Sequence, residues 1–203
     1  PIIASDKSNN IICSFVYAAN QSTQVNSNLY IGGNKITLSN ISSASQIFQV
    51  VIKYNSQGIF QWTNYAGGGI PNNSGTWNGS IYTNISVTTD SKGNIFFYGQ
   101  AGDRTSFGTK LFRTTNSLGL ADYIAKISVT GNWLFVEKIC DFNGDASGTA
   151  NSGYYVDCHL LATDSSNNLY AILNLQGGTP GTILGDTVST EKTANYLVKM
   201  NNN

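Results

Sequence analysis

The chain has 203 residues, 11 basic and 11 acidic side chains that cancel, and a 40% hydrophobic, 11% aromatic content. So little charge excludes the basic field that nucleic acid needs and any polybasic or acidic tail, while the apolar share is that of a globular rather than a disordered chain. The longest apolar runs are strand-length, so no membrane span is expected. Polarity comes instead from Asn, Ser, Thr and Gln, which compete with helical backbone bonds and favour turns and strands.

In chain order, Pro1 to Asp6 offers no charged n-region or long apolar core, so no secretory signal is read, and the first structural unit is entered part-way through. Asp6-Lys-Ser-Asn-Asn10 is the first of three copies of one turn. An Asp side chain caps backbone N–H groups two residues on, and Asn9 takes the left-handed conformation. Gly33, with Ile36 three residues later, marks a second turn, and Phe48–Tyr54, Asn55–Gly58 and Ile59–Trp62 read as strand, turn and strand. The loop Pro71–Gly79 follows.

The second unit is the most complete. Ile81–Thr89 leads into the turn Asp90-Ser-Lys-Gly-Asn94, and Asn94–Gly99 leaves it. Gly108 and Leu111 repeat the Gly-to-aliphatic spacing. Asp122–Ser128, a turn through Gly131 and Trp133–Ile139 then form another hairpin. The third unit has Asp164-Ser-Ser-Asn-Asn168, Gly185 and Val188, and Asn195–Lys199. Lys53, Lys126 and Lys199 recur at a period of about 73 residues, and Trp62 and Trp133 are expected at matching places on the fourth strand.

Two hairpins per unit predict a four-stranded antiparallel meander, and no window competes with helical spacing. The expected fold class is all-β: consecutive four-stranded antiparallel meanders of the β-propeller-blade kind, in a single β-repeat domain over 1–203 with units at approximately 1–70, 80–142 and 153–203. Asp-Ser-x-Gly/Asn-Asn-apolar, then aliphatic-Gly, Asp/Asn-Tyr-aliphatic-x-Lys and Gly-x-Trp together resemble the bacterial-type β-propeller repeat family often called SBBP. The resemblance covers nearly the whole chain, in about two and a half copies. The first copy departs from the pattern by a longer segment between Asp6 and Lys53, and the third stops at Lys199–Asn203 before its last strand. Propellers close with four to eight blades. The alternatives are therefore a partial propeller or fragment, a self-contained sandwich or barrel, and completion by other chains.

Few residues suggest chemistry. Asp141, Asn143 and Asp145 alternate oxygen donors and are the metal candidate, for Ca²⁺, but an EF-hand needs Gly at its sixth position and Glu at its twelfth, where Ala146 and Ser152 stand. The segment reads first as a polar inter-blade turn rich in Gly and Asn. Asp6, Asp90 and Asp164 read as structural turn residues, because equivalent positions in separate units do not face one another as a glycosidase pair must. His159, the sole histidine, follows Cys158 on a strand, where neighbours point to opposite faces. Cys13, Cys140 and Cys158 lack zinc-type spacing; Cys140 and Cys158 either pair in an oxidising compartment or act as buried thiols. Gly67–Gly69 and Gly177–Gly178 read as inter-blade loops without a phosphate-binding context. Five N-glycosylation sequons occur no more often than chance predicts. Trp77 with Asn73 and Asn78 is the binding candidate, an aromatic among amides suited to sugar stacking or protein anchoring.

By analogy with the fold, the expected function is a non-catalytic β-propeller-repeat module, a structural or protein-interaction unit on an extracellular or particle surface or in a large assembly. Its partners would be proteins or other chains of the assembly, with a glycan as a further candidate. The alternatives are a lectin-like carbohydrate-binding or carbohydrate-processing domain using rim loops, and a virion structural component.

Overall fold

The computed structural model describes residues 1–19, 27–38, 46–69, 81–114, 120–141, 155–176, 181–184, 186–188 and 194–201. Every regular element among them is a strand. The first group comprises β1 (Ile2–Ser5), β2 (Ile11–Ala19), β3 (Ser27–Ile31), β4 (Asn34–Leu38), β5 (Gln46–Tyr54) and β6 (Phe60–Gly69). The second comprises β7 (Ile81–Thr89), β8 (Ile95–Gly102), β9 (Thr105–Phe107), β10 (Lys110–Leu111), β11 (Leu120–Ile127) and β12 (Trp133–Asp141). The third comprises β13 (Tyr155–Thr163), β14 (Leu169–Gln176), β15 (Gly181–Ile183), β16 (Asp186–Val188) and β17 (Ala194–Met200).

Pairing is antiparallel. The orders are β1-β2-β5-β6-β9-β10, β7-β8-β11-β12-β15-β16 and β13-β14-β17, with β3-β4 a two-stranded sheet of its own. Each order is open, with no closure into a barrel among the described residues. The small hairpin β9–β10 adds to the edge of the first sheet through Ala66↔Phe107 and Gly69↔Thr105, and β15–β16 adds to the second through Cys140↔Ile183. Each hairpin thereby covers a strand edge that would otherwise expose unpaired N–H and C=O groups.

The turns explain why the strands reverse where they do. In Asp6, Asp90 and Asp164 one carboxylate oxygen accepts from the N–H groups two and four residues on, and the other accepts from the Asn side chain four residues on, all at 2.8–3.0 Å. The fourth residue has positive φ in each: Asn9 57°, Gly93 78°, Asn167 65°. Asn55 and Ser128 close the other hairpins in the same way, accepting from N–H groups of Gln57, Ile59 and Asn132. This is the local hydrogen bonding by which short polar side chains turn a backbone.

Three expectations need correction. The small-hairpin turns match at Gly32 (φ 54°), Gly108 (59°) and Leu184 (50°), so Gly32 rather than Gly33 is the counterpart of Gly108. Trp62 and Trp133 are not equivalent: Lys53 pairs with Trp62, but Lys126 pairs with Phe135, while Trp133 opposes Ile127 as Phe60 opposes Tyr54. A register shift at each site inserts Gln61 or Leu134. Such a bulge turns the residues on either side of it toward opposite faces, which period-two reasoning does not anticipate. Finally, Gly67–Gly69 belong to β6 rather than to a loop; a Cβ on Gly67 would lie 2.6 Å from the Phe48 ring, so close packing demands glycine there.

Alternation along the strands builds three apolar layers. In β5, Phe48, Val50 and Ile52 face one way, with Ile36 and Leu38 of β4, while Val51 faces the other and packs with Ile95, Phe97 and Tyr123. In β8, Phe96 and Tyr98 turn to the third sheet and meet Leu169, Ala171 and Leu173. The first sheet therefore packs on the second and the second on the third. Polar contacts keep the same order: the Thr89 hydroxyl donates to the Ser5 carbonyl (3.1 Å) and the Thr163 hydroxyl to the Thr89 carbonyl (2.8 Å).

Candidate functional site

Two buried lysines pair with turn carboxylates. Lys53 Nζ lies 2.9 Å from the Asp6 carboxylate, both nearly inaccessible, and Lys126 Nζ lies 3.4 Å from Asp90. These lysines come from the third strand of their meander and return to the turn between the first two. Each turn carboxylate is thus capped by its own backbone and neutralised from across the sheet. Burial pushes the Asp6 carboxyl up, but hydrogen bonds from the Asn10 side chain, from Lys53 and from the Asn10 N–H outweigh it and hold the group below its ordinary 3.8. Lys126 also lies 4.7 Å from the centre of the Phe96 ring.

The third unit differs. Asp164 accepts from the Tyr170 hydroxyl at 3.1 Å, and Lys199 is exposed over the Tyr170 ring at 5.6 Å. Hydrogen bonding from Asn168, against a smaller effect of burial, lowers the Asp164 carboxyl. Between the first two sheets a further buried polar link has the Tyr123 hydroxyl donating to Gln49 Oε1 (2.8 Å), whose amide donates to Ser14 Oγ (3.1 Å). Burial pushes the Tyr123 phenol far above its usual range, so it remains a donor.

A cavity of about 340 Å³ opens between the second and third sheets, lined by Phe96, Lys126, Phe135, Glu137, Leu169 and Met200 among others. Its ammonium is the one held by Asp90. Among the described residues no three His, Cys, Asp or Glu side chains converge to hold a metal.

The largest departures from a covered surface lie at the two ends of the stack. By register with the turn aspartates and the recurring lysines, Val51, Ile124 and Leu197 occupy one position, and Ile12, Phe96 and Tyr170 another. Val51 and Ile124 are 0% exposed beneath the next sheet, whereas Leu197 is 70% exposed. Leu160 pairs with Ile172, and Ile172 with Leu197, so a row of aliphatic side chains crosses the outer face of the third sheet. At the opposite end Ile3 is exposed, while Val87, at its position in the second group, packs into the core and Leu161, in the third, is buried.

Of the candidates from sequence, Asp6, Asp90 and Asp164 sit in the turns described. Asp141 ends β12, its backbone opposite Thr182. Its side chain and residues Asn143, Asp145, Asn73, Trp77 and Asn78 lie outside the described residues. So do the Cys158 and His159 side chains; the backbone register shifts between Cys158 and Leu160. The lysine–aspartate pairs were missed by sequence reasoning, although their shared period was the signal that could have joined them. No family model matches the chain, and no curated protein matches it.

Proposed function

We propose that this chain is a non-catalytic module of propeller-like β-repeats that serves as a structural or protein-interaction unit on a surface or in a large assembly. The observation that carries the reading is the contrast at one position: Leu197 is 70% exposed where Val51 and Ile124 are 0%. A contiguous exposed apolar face marks an interaction surface more often than scattered exposed side chains do. Two interior carboxylates support the same reading, since Asp6 and Asp90 each cap a turn and hold a lysine.

The test is a panel of glycoside, ester and phosphoester substrates together with a glycan array, run on the purified chain. The expected result is no turnover and no sugar-specific retention. Turnover lost in Asp90→Asn with the circular dichroism spectrum unchanged would make a turn residue an active-site acid and replace this reading with an enzymatic one.

A further inference from the structure

We propose that copies of this chain associate head to tail, the outer face of the third sheet in one copy receiving the outer face of the first sheet in the next. This deepens the interaction-module reading, on which it rests, by naming the surfaces and the partner.

Inside the chain the contact is made twice. The face of the first sheet that carries Val51 and Ile12 receives the face of the second that carries Ile95 and Phe97. The face of the second sheet that carries Ile124 and Phe96 receives Leu161 and other residues of the third. The third sheet presents the corresponding face with Leu197 and Leu160 70% and 53% exposed. On the first sheet, whose outer face β4 covers at Phe48, Val50 and Ile52, the strip of β1 and β2 presents the other half of the contact, with Ile3 71% and Ile11 38% exposed, where their counterparts Leu161 and Ile95 are 5% and 0%.

A second observation points to the same end. Hairpins β9–β10 and β15–β16 each pair with the sheet before them, whereas β3–β4 forms a sheet of its own. The first unit is therefore built to follow another sheet, as the second and third do. The surface that fits each exposed face is the opposite end of an identical molecule. Because the two surfaces differ, the contact is heterologous, and repeated copies give a ring if the rotation closes and a filament if it does not.

Sedimentation velocity over about 1 to 100 μM tests this with two variants at positions already exposed, Leu197→Lys and Ile3→Lys. The native chain should grow with concentration beyond a dimer or settle at a closed ring. Each variant alone should lose association by about a hundredfold or more, because a charge would be carried into an apolar contact. Mixed together, they should give a one-to-one dimer and nothing larger, since each retains one intact surface. Unchanged far-ultraviolet circular dichroism separates this from misfolding. A native chain that stays monomeric overturns the proposal, and so does an Ile3→Lys chain that still dimerises while Leu197→Lys does not, which would mean tail-to-tail pairing. Neither result produces turnover, so failure here is distinct from failure of the module reading.

Discussion

Trp62 of the first sheet closes over Gly131 of the second. A Cβ on Gly131 would lie 2.8 Å from indole Cδ2, the indole N–H donates to the Val129 carbonyl at 2.9 Å, and Asn64 donates to the Gly131 carbonyl at 2.6 Å. One turn is thus gripped by two side chains of its neighbour. Gly131 (φ 88°) should accordingly be far less tolerant than Gly58 (φ 78°), which has the same role in its own hairpin but nothing within 4 Å. Gly131→Ala should cost about 2–4 kcal/mol, combining backbone strain with overpacking, and Gly58→Ala about 1 kcal/mol from strain alone. Equal losses in urea denaturation would show that Trp62 gives way freely.

Trp133 is 8% exposed and packs against Phe97 and Phe107 at ring-centre distances of 6.1 and 5.1 Å. Trp133→Ala should destabilise by about 3–5 kcal/mol. Equilibrium unfolding reads this directly, and a loss below about 1 kcal/mol would remove the indole from the core.

Acid should act through Asp6. A carboxyl whose folded pKa is depressed contributes stability that is complete above its unfolded value and disappears as pH falls through the folded one. With 3.8 as the ordinary value, the Asp6 contribution should be intact at neutral pH and vanish below about pH 4. Asp6→Asn strands buried Lys53 without its counter-ion, costing about 3–5 kcal/mol at pH 7 and flattening the acid limb of the stability curve. A variant with the native acid limb would assign that slope to other carboxylates.

Removing one oxygen tests the link between the first two sheets. Tyr123→Phe leaves Gln49 Oε1, fully buried, without its donor and should cost about 1–3 kcal/mol in thermal or urea unfolding. A Tyr123→Phe, Gln49→Leu double variant should recover part of the loss, because the stranded Oε1 is then gone, the remainder staying with Ser14 Oγ, which gives up its Gln49 donor. No recovery would place the cost in packing or at Ser14.

Local chemistry made much of the fold legible. The Asp turns and the Asn55 and Ser128 turns are visible because the capping oxygen, the left-handed residue and the capped N–H lie within five residues. The lysine-bearing strands are visible for a similar reason, as short apolar runs between turns. The bulges at Gln61 and Leu134 were not, since an inserted residue looks like any other polar or apolar letter until the partner strand is in place. Leu197 shows the limit most plainly. Its aliphatic character matches that of Val51 and Ile124, and only the presence or absence of a neighbouring sheet decides whether that character is hidden.

The attachment of β9–β10 to β6 changes what a cut in the backbone would do. The first and second sheets share strand pairing, the apolar layer around Val51 and Phe97 and the clasp of Trp62, so their union does not depend on the covalent link at 70–80. A protease acting there would yield two peptides on a denaturing gel and one particle in native buffer. Peptide continuity and mechanical continuity follow different routes through this molecule, and the second runs sideways from sheet to sheet.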